Sequence, residues 1–321
     1  MRIPGRKTLL YGARLLRSKL VTHGIILGYH RINTLPWDPF RQCVSAEHFT
    51  QHLDVLHEQA NVIPLHALAE ANAAGELAPR CVAITFDDGY ADFLSGTRPL
   101  LQRAAMPSTL FITSGTPGKE FWWDTLVRLV EVRDPAQPLK LDTGDAGFAW
   151  QPDTATNSPS RDALIHALHR FLMSLDNAVR TDCLQQLAAV SRPLEADRDR
   201  DRALTESEIS TLANDELVTI GCHTVSHPML DRLNPDQQRA EILQNKETLE
   251  QLTGKAVAGF SYPHGVKSAT TVGLVRDCGF THACASHNDV VWRNSNPYCL
   301  PRIWVPDIPG EAFRKLLLRW L

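Results

Sequence analysis

The chain has 321 residues, with 33 Lys+Arg against 36 Asp+Glu and a formal net charge of -3, which is length enough for one large α/β domain or two ordinary ones. No basic stripe with interleaved aromatics runs through it, which excludes a nucleic-acid partner, and no stretch approaches the roughly 20 uninterrupted apolar residues that span a bilayer. The seven cysteines (Cys43, Cys81, Cys183, Cys222, Cys278, Cys284, Cys299) are odd in number, scattered and without a C-x-x-C pair, and read as reduced core residues of a cytoplasmic protein.

The opening MRIPGRKTLLYGARLLRSKL is basic and amphipathic, but Arg14 and Arg17 break the continuous apolar run that a signal peptide needs. Residues 1–23 thus form one amphipathic end segment, and 307–321, with AFRKLLLRWL, the other. Two readings stand for both: docking on the body of the protein, or peripheral contact with the anionic inner face of the cell membrane.

From residue 24, GIILGYHRI reads as a strand, and Ser45 caps a helix in which Phe49, Leu53 and Leu56 recur at helical spacing. NVIPL, CVAITF and STLFITSG read as strands, separated by helices over LHALAEANA and ADFLSGTRPLLQRAA. The alternation predicts a parallel sheet or barrel. It breaks over residues 120–205, which read as an inserted, mainly helical subdomain. A helix with Thr205 and Glu208 as a capping box restarts the alternation. The strand LVTIGCH, the helix NPDQQRAEILQNKETLEQLTG, the strand AVAGFSYP, a helix over ATTVGLVRDCG and strands at THACAS and LPRIWV follow. About seven β/α units result.

Three stretches carry candidate chemistry at strand ends, where α/β folds expose functional groups. In AITFDDGY, Asp87 and Asp88 serve one site only if the chain bends after the strand, which Gly89 permits; the alternative is a turn or helix cap. In TIGCHTVSHPML, His223 and His227 are either surface residues or, with one carboxylate, the ligands of a zinc-type site that leaves a position open for water. GFSYPHG is either an ordinary turn or a rigid one whose backbone N–H groups can hold an oxyanion.

In this order the stretches resemble the polysaccharide deacetylase family, carbohydrate esterase family 4, with its T-F-D-D-G, H-[ST]-x-x-H-P and proline-glycine motifs. TFDDG (85–89) and HTVSHP (223–228) match without a mismatch, and the resemblance covers 24–306 apart from the insertion. GYHRI, FWWD and LPRIWV are similar to the subgroup acting in bacterial surface-polysaccharide and lipopolysaccharide pathways.

The resemblance implies a distorted (β/α)7-type TIM-like barrel and a single divalent cation held by Asp88, His223 and His227. Zinc is the first choice, with cobalt, nickel or manganese as alternatives. It makes Asp87 the base and gives the oxyanion to the backbone N–H of His264, where the family usually has tyrosine. Ser261 stands where the family's arginine orients the base, and Arg302 is the proposed replacement. His30 is the candidate acid, ahead of His264, while His287 matches poorly. Tyr262, Pro263, Trp122 and Trp123 are candidate substrate contacts, the tryptophans alternatively starting a packed helix. The implied activity is metal-dependent N-deacetylation of an amino-sugar glycan or lipid-linked saccharide, a cell-envelope reaction. Alternatives are a non-catalytic glycan-binding relative, a deformylase or an O-acetyl esterase.

Overall fold

The computed structural model describes residues 17–18, 20–144, 147–152, 160–192 and 201–321. Most of the basic opening segment, 1–16 and 19, and part of the polar stretch within 141–162 lie outside the described residues. Contacts divide the chain into two units, one built of the described residues up to Pro36, Arg41–Pro117 and Leu204–Leu321, the other of Trp37–Phe40 and the described part of Gly118–Ala203.

Strands in chain order are β1 (His23–Tyr29), β2 (Arg31–Ile32), β3 (Cys43–Val44), β4 (Asn61–Val62), β5 (Cys81–Phe86), β6 (Ser108–Ile112), β7 (Leu139–Asp142), β8 (Gly147–Trp150), β9 (Val218–Cys222), β10 (Gly259–Ser261), β11 (His282–Cys284), β12 (Val291–Trp292) and β13 (Ile303–Trp304). In the first unit nine of these form one sheet ordered β11-β10-β9-β6-β5-β1-β12, with β4 beside β5 and β13 beside β1. Every pairing in it is parallel except β1 with β12. The sheet curls because the strip leading into β13 joins its two ends. Leu300 exchanges backbone hydrogen bonds with Ala283 and Ala285 beside β11, while Ile303 and Trp304 pair with Leu27 and Gly28. The result is the distorted (β/α) barrel of the sequence reading.

Alternation along each strand sorts side chains onto two faces. Ile25 and Leu27, Val82, Ile84 and Phe86, and Leu110 and Ile112 enter the large outer core under the helices. Ile26, Ala83 and Phe111, one residue out of phase, join Cys284 and Leu300 in a separate inner cluster. Thr85 and Asp87 continue the Ala83 face and Thr113 the Phe111 face, so the site grows from the inner face at the strands' carboxyl ends.

Helices Ala46–Gln59, Glu206–Leu212 and Ala269–Asp277 begin at Ser45, Thr205 and Ser268, each accepting from a backbone N–H three residues on. The helix expected from residue 91 instead opens with a wide turn, Phe93–Thr97, before Arg98–Ala104. The terminal helix Gly310–Trp320 buries Phe313, Leu317 and Trp320 within this unit. Among the described residues no helix is long and apolar enough to cross a membrane.

The second unit contains helices Trp122–Glu131, Arg161–Leu172 and Asn177–Ala189 around a separate leucine-rich core. It is not only helical: LKLD and GFAW pair antiparallel as β7 and β8, with Leu139 and Leu141 buried between exposed neighbours. Their two-residue alternation is the strand signal that the polar character of the stretch obscured.

Candidate active site

Asp87 and Asp88 leave the end of β5 into the barrel mouth. The bend falls at Asp88 itself, whose φ of 73° is left-handed, and Gly89 follows at 86°. A non-glycine residue rarely holds that conformation. Here backbone bonds fix it: Thr113 donates its N–H to the Asp88 carbonyl at 3.1 Å, and Asp87 donates its own to Tyr29 at 3.0 Å. The reversal lets two adjacent side chains share one site.

Their surroundings differ. Asp87 is gripped from both sides by Arg302, with Nη1 to Oδ1 at 2.6 Å and Nη2 to Oδ2 at 2.7 Å. Arg302 is wholly buried. Its remaining N–H groups reach Ser261 Oγ at 2.8 Å, Thr85 Oγ1 at 3.3 Å and the Ala285 carbonyl at 3.3 Å. Ser261, where an arginine was expected, donates Oγ–H to Asp87 at 3.2 Å. Burial by itself would raise the Asp87 pKa, but the charges of Arg302 and then His223 outweigh it and hold it at about 2. For Arg302 burial acts downward, and Asp87 drives its pKa up instead.

Asp88 has no such partner. Its buried Oδ1 lacks a hydrogen bond among the described residues and lies 3.5 Å from Nε2 of both His223 and His227. One ligand atom from each of the three residues falls within 4.8 Å of the others, and all three residues are buried. His223 approaches the carbonyl of Ser261 with Nδ1 at 2.7 Å. That contact makes Nδ1 the N–H and aims the Nε2 lone pair at Asp88, the arrangement usual for metal-ligating histidines. His223 accordingly has a raised pKa, burial acting downward and the charges of Asp87 and Asp88 overcoming it. A buried carboxylate oxygen without a hydrogen-bond partner among the described residues and two imidazoles converging on it could hold a divalent cation.

The other candidates separate. His30 lies flat on Trp304, ring centroids 4.6 Å apart at 12°. Trp304 also underlies the Arg302 guanidinium at 4.6 Å. Gly28 makes room for this stack, because a Cβ there would sit 2.8 Å from the Trp304 ring. His264, left-handed at φ 56° and exposed, brings its ring to 4.5 Å from that of His227.

Tyr262 and Pro263 are both buried, and the Tyr262 hydroxyl donates to the Tyr298 carbonyl at 3.0 Å. They brace the turn from behind. The tryptophan pair is also engaged in packing, within the second unit. Trp123, 4% exposed, stacks on Phe121, and Trp122 stacks on His169 with Arg180 over its ring. Buried, stacked rings leave Trp123 no face for a sugar. Trp304 and Asn245, whose Oδ1 accepts the His223 N–H at 3.0 Å, were missed in the sequence. Trp304 had a signal, two residues beyond Arg302 on the same strand face.

The polysaccharide deacetylase family model matches residues 74–134 and 185–283. YxkH of Bacillus subtilis (strain 168), which carries a polysaccharide deacetylase designation, is 21% identical over 291 residues, 90% of this chain and 74% of that protein. Among solved structures, IcaB from Ammonifex degensii is similar with a TM-score of 0.60 at 16% identity, covering 93% of this chain and 97% of that one. The Streptococcus pyogenes deacetylase PplD, solved in complex with acetate, has a TM-score of 0.57 at 17% identity over 92% of this chain and 99% of that one. At these identities the structural likeness establishes the fold.

Proposed function

The chain belongs to the polysaccharide deacetylase family, and from that premise we propose that it is a metal-dependent hydrolase that removes the N-acetyl group from an amino sugar of a glycan or lipid-linked saccharide. The observation that carries this is the pairing of Asp88, His223 and His227, with ligand atoms within 4.8 Å of one another, with an adjacent carboxylate committed to Arg302.

Asp88 Oδ1 and Nε2 of His223 and His227 would hold the cation, zinc by the chemistry of this donor set. When bound, it supplies Lewis acidity to the acyl oxygen and to a water molecule. The remaining chemistry belongs to side chains of the protein. Asp87 takes the proton from the attacking water. A carboxylate offers about four lone-pair positions, so the Arg302 bonds leave it acceptor capacity while fixing its plane. The Arg302 charge lowers the Asp87 pKa and so keeps the carboxylate ionised and able to accept. His30 returns a proton to the departing amine, its ring plane set by Trp304. The backbone N–H of His264, presented by the left-handed turn, supports the developing oxyanion.

The test is mass spectrometry of candidate acetamido sugars and lipid-linked precursors incubated with the protein. Loss of about 42 daltons, a ketene unit, is expected. A loss of about 28 daltons would assign formyl removal instead, and release of acetate from an O-acetyl ester alone would assign esterase chemistry. No product from any of these substrates with the zinc-loaded protein would overturn the enzymatic reading in favour of a glycan-binding role.

A further inference from the structure

We propose that Glu241 and Asn245, one turn apart on the helix Pro235–Thr253, are positioning residues that set the aim of both histidines at Asp88. The inference rests on the reading that Asp88, His223 and His227 hold a metal.

The segment between the histidines is not a regular element. Thr224 and His227 are both left-handed, with φ of 66° and 56°, a strained conformation for non-glycine residues unless their surroundings impose it. Residues four apart share a helix face, and here that face supplies the restraint. Glu241 Oε2 accepts the N–H of Val225 at 3.0 Å and of Ser226 at 2.8 Å, and Oε1 accepts the Ser226 hydroxyl at 2.6 Å. These are charge-assisted bonds, roughly twice as strong as neutral ones. Asn245, fully buried, accepts the N–H of His223 at 3.0 Å. Its amide donates to the Ile112 carbonyl at 3.1 Å and to Ser114 Oγ at 2.8 Å. One helix face therefore holds the backbone of the first ligand, the two N–H groups of the bend and the end of β6. Thr224 completes the turn by accepting the His227 N–H at 3.1 Å. If the carboxylate is removed, two N–H groups of a strained bend lose their acceptor, and the imidazoles lose their common direction.

The test measures zinc affinity by competition with a chromophoric chelator, with no substrate present. E241A is expected to bind zinc about 10–100-fold more weakly than wild type, the usual cost of losing support for metal ligands. E241Q, whose amide can still accept from the bend and donate to Ser226 Oγ, is expected to stay within about threefold of wild type, and S226A to fall between. The visible spectrum of the cobalt-loaded protein should change in E241A and return in E241Q. Leu249→Ala, in a buried position on the same helix, controls for lost stability: it should lower the melting temperature and leave zinc affinity in place. Wild-type zinc affinity in E241A, or in S226A should E241A fail to fold, overturns the inference while leaving the metal reading intact. Equal weakening by L249A also overturns it. A wild-type protein that takes up no zinc removes both.

Discussion

Asp87 and Asp88 are neighbours of the same residue type, both nearly inaccessible, yet they sit in opposite circumstances. Asp87 is held in place: a bidentate guanidinium and a serine hydroxyl bond to it, and its charge faces a buried partner. Asp88 differs: its Oδ1 has no hydrogen-bond partner among the described residues and faces two imidazole nitrogens at 3.5 Å. The difference teaches that one bend and one buried guanidinium are enough to give two adjacent carboxylates different surroundings. Paired titratable groups with divergent environments are how one fold obtains two chemical roles from one side chain.

Substitutions can break this contrast from either side. The largest effect is expected from His223→Ala, which removes one of the three proposed metal ligands; zinc uptake and turnover should both vanish, measured by metal analysis and product release. Asp87→Asn acts on the other half alone, lowering kcat by about 10²–10⁴-fold while zinc content stays at the wild-type level. If metal is lost along with activity, the two carboxylates are not divided as described.

Arg302→Met tests what holds Asp87. Leaving a buried carboxylate without its counter-charge should cost about 3–5 kcal/mol, read as a drop in the denaturant midpoint. Unchanged stability would mean that Asp87 does not depend on Arg302.

The final prediction concerns burial without a counter-charge. His52 is buried between the Ile308 carbonyl, 2.7 Å from Nε2, and Tyr29, with Phe313 stacked on its ring at 4.2 Å. Desolvation lowers its pKa to about 4, opposite to the raised His223. A histidine that is harder to protonate when folded leaves stability intact above its unfolded value of about 6.5 and erodes it as pH falls toward 4, by up to about 3 kcal/mol. His52→Gln should flatten that part of the stability–pH curve in chemical denaturation at stepped pH. An unchanged curve would mean that the His52 pKa does not differ between the folded and unfolded states.

Legibility in the sequence followed the range of the interaction. The β/α alternation, the capping residues Ser45 and Thr205, and the D-D-G and H-x-x-x-H strand ends were readable because periodicity and motif spacing are local. The hairpin of β7 and β8 escaped because charged and polar residues on its open face masked the alternation. The tryptophan pair read equally well as a sugar platform and as packing, since stacking on Phe121 and His169 depends on rings that only the folded subdomain brings alongside. Arg302 could be named from the absence of an arginine at 261, but its two-pronged grip spans 215 residues. Glu241 and Asn245 lay unnoticed in a polar helix, because nothing local distinguishes a carboxylate facing water from one facing a strained bend.

By itself the sequence determined the class of fold, the strand ends that bear chemistry and the donor types they offer, since these follow from side-chain periodicity and chemical identity. Tertiary structure alone decided which aspartate meets the guanidinium and which meets the two imidazoles. That depends on the left-handed turn at Asp88, on the barrel closing through Leu300–Trp304, and on the guanidinium that this closure brings into the interior. A carboxylate's role is set by what surrounds it in a low-dielectric interior, and those surroundings are assembled only when distant strands meet.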